Sequence, residues 1–239
     1  MKTFVAAALL ALAGVALAQS PPRGTVEDGI RARFEERFSA KPDTVTRMPF
    51  GLYEVVIGTE VVYVDQDVNY AFVGRVLDAK TRDDLTARKR DELLRVDFKA
   101  LPLEQAVKIV RGNGSRTLVT FEDPNCGFCR KLYRELAGLK NVTIYTFLYP
   151  ILSQDSMDKS RAIWCAKDRA KAWDELMLNG KAPPAAAADC KDPLQQNIEL
   201  GRKLEVTGTP TIVFSNGRRL PGAVPLDRIE AMFKEIAGK

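Results

Sequence analysis

The clearest chemical signal in this sequence is a pair of cysteines, Cys126 and Cys129, in the motif Cys126-Gly127-Phe128-Cys129. They follow a strand-like segment and a turn, and they open a segment with helical periodicity. Two sulfurs at this spacing in a first helical turn are close enough to form a reversible disulfide. Backbone N–H groups at a helix N-terminus favour a thiolate, so Cys126 is expected to attack disulfides. Cys129 is expected to be more buried and to release the substrate by attacking the mixed disulfide.

The alternatives for this motif are half of a zinc site and an inert structural disulfide. Zinc needs further ligands, and the chain has no histidine and no second Cys-x-x-Cys motif. The absence of histidine also excludes Ser-His and Cys-His catalytic arrangements. We therefore predict a redox-active dithiol that uses no metal and no cofactor.

The other two cysteines, Cys165 and Cys190, have no Cys-x-x-Cys neighbour. An even cysteine count in an exported protein is typical of paired thiols. A bridge between them would close an Ala-Pro-rich loop and stabilise the fold by roughly 3 kcal/mol. We favour this structural disulfide, with a second redox centre as the alternative.

The elements that must position Cys126 and Cys129 alternate between strand and helix over residues 101–239. The helix that begins with the motif has Phe128, Leu132, Leu136 and Leu139 on one apolar face. The order of strand, helix, strand, helical insertion, strand, hairpin strand and helix is that of a thioredoxin-like domain. The predicted strands are 106–110, 117–121, 142–148, 211–214 and a short one at Leu220. The predicted helices are 126–139, 154–178 (with a possible break), 195–205 and 225–236.

Thr209-Pro210 begins a predicted strand, which is an unusual place for proline. In a thioredoxin fold this proline follows a cis bond and faces the reactive sulfurs, leaving neighbouring backbone free to pair with an extended substrate. We therefore predict a cis Thr209–Pro210 bond and a substrate-binding role for both residues. Buried carboxylates often relay protons to a resolving cysteine, but Glu122 and Asp123 are interpreted as solvated turn residues.

The N-terminal part of the chain, residues 19–80, is predicted to be a small α+β unit. A helix over 27–38 places Ile30, Phe34 and Phe38 on one face, and strand-like runs follow at 52–57, 60–65 and 70–77. Sixty residues bury little apolar surface, so a second copy of the unit is the favoured partner for its open sheet edges. Packing on its own chain is the alternative.

A highly charged segment at residues 81–100 is predicted to form a linker helix, with Thr81 and Asp84 as its N-terminal capping pair. The predicted fold class is therefore α/β: a thioredoxin-like catalytic domain with a helical insertion, preceded by a small α+β dimerisation domain and a helical linker.

Residues 1–18 are predicted to be a signal peptide. Lys2 precedes an uncharged apolar run, and Ala16-Leu17-Ala18 offers a cleavage site. The alternative is a retained membrane anchor. The net charge of +5 is spread along the chain, so we predict no nucleic-acid binding.

Taken together, these motifs resemble the periplasmic disulfide isomerases of the DsbC/DsbG family. The Gly-Phe dipeptide between the cysteines is closer to the Gly-Tyr of the DsbC branch than to the Pro-Tyr of the DsbG branch. The resemblance is strongest in Phe121-Glu-Asp-Pro-Asn-Cys-Gly-Phe-Cys129, Ala162-Ile-Trp-Cys-Ala-Lys-Asp168, Gly208-Thr-Pro-Thr211 and Ser215-Asn-Gly-Arg-Arg-Leu-Pro-Gly222.

The resemblance implies a periplasmic homodimer whose apolar cleft holds misfolded, disulfide-containing exported proteins. It implies that Cys165 and Cys190 form a structural disulfide, and that a membrane reductase of the DsbD type keeps Cys126 and Cys129 reduced. The expected activity is thiol–disulfide isomerisation or reduction. The alternatives are a dithiol oxidase, a partner-specific reductase and a chaperone-like client-binding dimer.

Overall fold

The computed structural model describes residues 24–238, so the predicted signal peptide at 1–18 lies outside the described residues. The described chain divides into two compact units. The N-terminal unit comprises residues 24–57 and 62–73, and the thioredoxin-like unit comprises 58–61 and 74–238. Across residues 24–238, no helix is both long enough and apolar enough to cross a membrane.

The N-terminal unit contains a helix and a four-stranded sheet with strand order β1-β2-β3-β4. Ile30 and Phe34 of the helix are buried against the sheet residues Tyr53, Val55 and Val64. The elements are α1 (Val26–Phe38), β1 (Thr44–Arg47), β2 (Tyr53–Ile57), β3 (Glu60–Val64) and β4 (Ala71–Val73).

Three sequence expectations for this unit were incomplete or wrong. Strand β1 was not predicted, because its four residues are mostly exposed and carry little apolar signal. The expected strand at 70–77 is reduced to β4, which has all three residues exposed. Phe38 does not join Ile30 and Phe34 in the core, because it is the last residue of α1 and lies half exposed.

The thioredoxin-like unit has a five-stranded sheet with strand order β5-β7-β6-β8-β9. Strand β6 runs parallel to β7 and antiparallel to β8. Its elements are α2 (Leu85–Leu93), β5 (Val107–Arg111), β6 (Arg116–Glu122), α3 (Gly127–Ala137), β7 (Val142–Leu148), α4 (Gln154–Trp164), α5 (Arg169–Asn179), α6 (Leu194–Lys203), β8 (Thr211–Phe214), β9 (Arg219–Pro221) and α7 (Leu226–Ala237).

Strand β6 determines where the cysteine motif lies. Its residues 118–122 are continuously buried, as expected for a strand inside a sheet that is covered on both faces. The strand ends at Glu122, and a short turn then leads to Cys126, the N-cap of α3. The motif therefore lies at the carboxyl end of a central strand.

The possible break within 154–178 is present, and the start of α2 differs from the sequence expectation. The stretch 154–178 forms two helices, because α4 ends at its C-cap Cys165 and Asp168 caps a new helix by accepting from the Lys171 N–H. Helix α2 is capped by Asp84, not Thr81, and the left-handed φ of 63° at Arg82 prevents an earlier start.

Candidate active site

Cys126 and Cys129 are free thiols at the start of α3 with different exposure. Cys126 retains 7% exposure, whereas Cys129 has none. The Cys126 N–H donates to the Asp123 carbonyl at 3.0 Å and closes the turn after β6. Cys126 is the N-cap residue of α3, so it directly precedes backbone N–H groups that have no partner inside the helix. One sulfur is therefore reachable and the other is enclosed.

The Thr209–Pro210 peptide bond is cis, and it lies beside the first cysteine. The Cys126 thiol faces the Thr209 carbonyl oxygen, with 3.4 Å between Sγ and O. The Thr211 hydroxyl donates to the Gly208 carbonyl at 2.9 Å, and the Gly222 N–H donates to the Pro210 carbonyl at 2.8 Å. The structure thus brings together residues that lie 83 positions apart in the sequence.

Glu122 was interpreted as a solvated turn residue, and that interpretation is wrong. It is the last residue of β6 and is completely buried. Neither of its carboxyl oxygens accepts a hydrogen bond of normal geometry from the described residues. Burial raises the pKa of Glu122 to about 8, and the neighbouring Thr120 hydroxyl opposes that shift. A carboxyl group with this pKa can take up and return protons near neutral pH.

The Cys129 thiol shares this buried environment. Burial raises the pKa of Cys129 far above its usual range, and the charge of Glu122 adds to the effect. Each group therefore holds its proton more firmly while the other is ionised. Cys129 therefore loses its proton more easily when the Glu122 carboxyl group is protonated than when it is ionised.

Asp123 was also interpreted as a solvated residue, and it too is completely buried. Its carboxylate accepts from the backbone N–H groups of Ile151 and Leu152 at 2.9 and 3.0 Å. It also accepts from the Asn125 N–H and the Ser156 hydroxyl, each at 2.8 Å. These four donors compensate the buried charge, and they fasten the turn before Cys126 to the segment that leads into α4.

Cys165 and Cys190 form a disulfide that connects the C-cap of α4 to the loop before α6. Arg161 secures this loop by donating to the carbonyls of Ala188 and Cys190, both at 3.0 Å. The Trp164 indole N–H donates to the Lys191 carbonyl at 3.2 Å. Cys165 and Cys190 are partly buried and pack against the main core of the unit.

Phe128 does not lie on the apolar face of α3, as the periodicity had predicted. It is 65% exposed, whereas Leu132, Leu136 and Leu139 are buried. Position 128 belongs to the first turn of α3, just after the carboxyl end of β6, and the described residues leave most of its side chain uncovered. The segment Ile151–Leu152, which Asp123 holds, is exposed as well.

Asn125 is a site residue that the sequence reasoning missed. It directly precedes Cys126, and its side-chain amide contacts four residues of the segment 153–159. An asparagine before a helix is a common turn residue, so the sequence offers no signal for partners about thirty positions away.

Comparisons with known proteins agree with this geometry. Residues 103–237 match a family described as a thioredoxin-like domain, and residues 14–87 match a family described as the disulfide bond isomerase protein N-terminal domain. The probable thiol:disulfide interchange protein DsbC of Bordetella pertussis is 49% identical over 205 residues, which cover 85% of this chain and 73% of that protein.

More distant relatives and solved structures give the same result. The thiol:disulfide interchange protein DsbC of Escherichia coli is 27% identical over 190 residues, covering 77% of this chain and 78% of that protein. A crystal structure of a disulfide interchange protein from Neisseria gonorrhoeae has 39% identity and a TM-score of 0.54, and covers 56% of this chain and 97% of that chain.

These matches confirm the predicted family and the predicted fold class, with a thioredoxin-like domain preceded by an N-terminal domain found in isomerases. The chain belongs to the DsbC family of thiol:disulfide interchange proteins, and it is a thiol–disulfide isomerase.

Proposed function

We propose that the chain rearranges incorrect disulfides in exported proteins, with Cys126 as the attacking sulfur and Cys129 as the resolving sulfur. The observation that carries this assignment is the difference in exposure between the two thiols at the start of α3. Cys126 is at the helix N-terminus, retains exposure and faces the Thr209 carbonyl, whereas Cys129 is enclosed. Cys126 is the member of the pair that keeps some accessible surface, so it is the one that can meet a disulfide in a large protein substrate.

The first step balances as a simple displacement. The Cys126 thiolate attacks one sulfur of the client disulfide, the client S–S bond breaks, and the other client sulfur leaves as a thiolate. A mixed disulfide between Cys126 and the client results. When a different client thiolate then displaces Cys126, the client has exchanged one disulfide for another with no net oxidation or reduction.

The resolving step releases a client that does not rearrange. The Cys129 thiolate attacks the Cys126 sulfur, the bond to the client breaks, and the client leaves with its disulfide reduced. The two electrons come from the Cys126–Cys129 pair, which becomes a disulfide. An electron donor must then reduce that disulfide before the next cycle.

Glu122 is the group that we propose to take the proton from Cys129 in the resolving step. Both are buried, and each influences the ionisation of the other. The raised pKa of Glu122, about 8, matches a base that works near neutral pH. Its carboxyl oxygens accept no hydrogen bond of normal geometry from the described residues, which leaves them available for the proton.

Thr209 and Pro210 are proposed to bind the client backbone beside the mixed disulfide. The Thr209 carbonyl lies at the reactive sulfur, and proline supplies no N–H to close the strand at this point. A Cβ atom placed on the preceding Gly208 would meet nothing within 4 Å, so the surface there is open. An extended client segment can therefore reach this backbone.

We also propose that the protein is exported to the periplasm and that its clients are misfolded, disulfide-containing proteins. A membrane reductase of the DsbD type is the proposed electron donor. The predicted signal peptide at 1–18 and the family membership support export. A donor of electrons is required by the resolving step itself. The redox state of Cys126 and Cys129 in cells tests this part, because a mostly oxidised pair would contradict an isomerase and favour a dithiol oxidase.

A homodimer formed through the N-terminal unit is also proposed. Strand β4 is at the edge of its sheet, and Phe72 and Val73 are 52% and 78% exposed. Exposed apolar edge strands are ready sites for pairing with another chain, and a second copy carries the same edge. Sedimentation that finds only monomer at micromolar concentration would contradict the dimer, and Val73→Asp should shift a dimer toward monomer.

Refolding of scrambled ribonuclease tests the central proposal. The wild-type protein should restore ribonuclease activity, while Cys126→Ser should restore no more than the buffer does. Cys129→Ser should retain attack but trap clients as mixed disulfides, which non-reducing gels would display. Equal activity of wild type and Cys126→Ser would refute the assignment.

A further inference from the structure

Asn125 makes more polar contacts than a turn residue needs. Its amide Nδ2 lies 2.7 Å from the Asp155 carboxylate, 3.1 Å from the Ser156 hydroxyl and 3.3 Å from the Ser153 hydroxyl. Its Oδ1 accepts from the Lys159 ammonium at 2.8 Å. Both ends of the side-chain amide are therefore bonded to one segment, the N-terminal part of α4.

The backbone of Asn125 is fixed in the same way. Its N–H donates to the Asp123 carboxylate at 2.8 Å, and its carbonyl accepts from the Arg130 guanidinium at 3.3 Å. Every polar atom of the residue directly before Cys126 thus has a partner. The turn is held between β6, the first turns of α3 and the start of α4.

The partners on α4 are themselves held in place. Ser156 is completely buried. Its hydroxyl donates to the Asp123 carboxylate and accepts from the Asn125 amide, so Ser156 contacts both residues that hold the turn. Lys159 forms an ion pair with Asp155 at 2.6 Å. The other end of α4 is the C-cap Cys165, which the disulfide joins to Cys190. Helix α4 is therefore held in place near both of its ends.

The Cys126 side chain makes no capping hydrogen bond to α3, and its thiol faces the Thr209 carbonyl. Its backbone occupies the N-cap position, where the unpaired N–H groups of the first helical turn favour a thiolate. The turn that Asn125 holds places Cys126 at this position.

We propose that Asn125 is a positioning residue that fixes the turn before Cys126 and so keeps Cys126 at the N-terminus of α3, where its thiolate is favoured, with α4 as the support. The inference rests on the proposed function, because it assumes that Cys126 is the attacking sulfur. Asn125 acts through Cys126 and touches no client atom in this role.

The test is the pH profile of alkylation of reduced Cys126 by iodoacetamide, with the alkylated residue identified by mass spectrometry. In Asn125→Ala, the rate at pH 7 should fall about fivefold, the size expected when much of the helix N-terminal stabilisation is lost. Well above the usual pKa of a cysteine thiol the helix N-terminus is no longer needed for ionisation, so the alkylation rates of the two proteins should converge. Asn216→Ala is the matched control, because Asn216 also fixes a turn, by accepting from the Arg218 N–H at 3.0 Å.

Asp155→Ala separates positioning from charge and changes only an exposed residue of α4. Removal of a carboxylate near Cys126 would by charge alone favour the thiolate and speed alkylation at pH 7. If the positioning effect is larger than the charge effect, the loss of this hydrogen-bond partner of Asn125 should slow the alkylation of Cys126 instead. A faster reaction, or an unchanged profile in Asn125→Ala, would overturn the inference.

Failure of the proposed function would look different. In that case the wild-type protein itself would not refold scrambled ribonuclease, whatever Asn125 does. A wild type that refolds ribonuclease, together with an unchanged alkylation profile in Asn125→Ala, would refute the positioning role alone.

Discussion

Cys126 and Cys129 lie where β6 meets α3, whereas Cys165 and Cys190 join the end of α4 to the loop before α6. The first region places a partly accessible cysteine at a helix N-terminus and an enclosed cysteine within electrostatic range of the buried Glu122 carboxyl group. In the second region, the loop around the disulfide is secured by hydrogen bonds from Arg161 and Trp164. Two cysteines are therefore kept as free thiols in one place, and two are bonded as a cross-link in the other.

The surroundings of a cysteine pair determine whether it reacts. Exchange needs an attacking sulfur that can ionise, a path for the substrate and a place for the second proton. The Cys126 region offers all three through the α3 N-terminus, the open Gly208 surface and Glu122. The Cys165–Cys190 region offers a closed loop, which restricts the unfolded chain.

The largest expected effect separates the two regions by activity. Cys126→Ser should lower disulfide exchange by at least about a hundredfold, because the nucleophile itself is lost. The double variant Cys165→Ala/Cys190→Ala should keep most of its exchange activity per folded molecule. Both are measured by ribonuclease refolding at a temperature where circular dichroism finds each protein folded. Loss of activity in the folded double variant would contradict this prediction, because it would mean that Cys165 and Cys190 take part in exchange.

The second prediction concerns Glu122 and the pH dependence of stability. Its folded pKa of about 8 is above the unfolded value of 4.5, so the folded state binds more protons than the unfolded state between these values. Wild-type stability should therefore fall as pH rises from 4.5 to 8, by up to about 5 kcal/mol from this group. Glu122→Gln lacks this titration, so its stability relative to wild type should improve steadily over that range.

Urea unfolding of the reduced proteins at several pH values between 4.5 and 8 measures this difference. Glu199→Gln, which alters an exposed residue of α6, is the matched control and should show a much smaller pH dependence. A pH-independent difference between Glu122→Gln and wild type would mean that the buried carboxyl does not titrate in this window.

The third prediction concerns the structural disulfide. Closing a loop across 25 positions should stabilise the folded chain by about 3 kcal/mol, chiefly by restricting the unfolded state. The clean measurement compares Cys126→Ser/Cys129→Ser with and without Cys165→Ala/Cys190→Ala, because that background cannot reshuffle disulfides. A strong reductant should bring the first protein close to the second. Equal unfolding midpoints without reductant would contradict a stabilising role.

Local patterns in the sequence were sufficient for much of the fold and for the family. Strands β7 and β8 have the predicted bounds, since uninterrupted β-favouring apolar runs specify buried strands. Two further local features are the motif Cys126-Gly-Phe-Cys129 and the dipeptide Thr209-Pro210. Both can be recognised in the sequence without knowing that they lie close together in the fold. What these residues share is a signal contained within a few positions.

The missed features depend on contacts between distant segments. Glu122 and Asp123 have identical appearance in the sequence, two acids after a strand, yet one carboxylate has four donors and the other has none of normal geometry. Asn125 has partners on α4 that only the folded chain brings near. Burial of a polar group is decided by what packs over it, and periodicity within one segment does not report that.

Phe128 leads to the prediction with the smallest effect. Helical spacing placed it with Leu132, but it is 65% exposed and Leu132 is fully buried. Phe128→Ala should therefore change the free energy of unfolding by no more than about 0.5 kcal/mol, as exposed substitutions usually do. Leu132→Ala, on the same helix, should cost about 2–5 kcal/mol through lost burial and a cavity. Urea unfolding measures both, and a large loss in Phe128→Ala would mean that position 128 is covered in solution, for instance by a second copy of the chain.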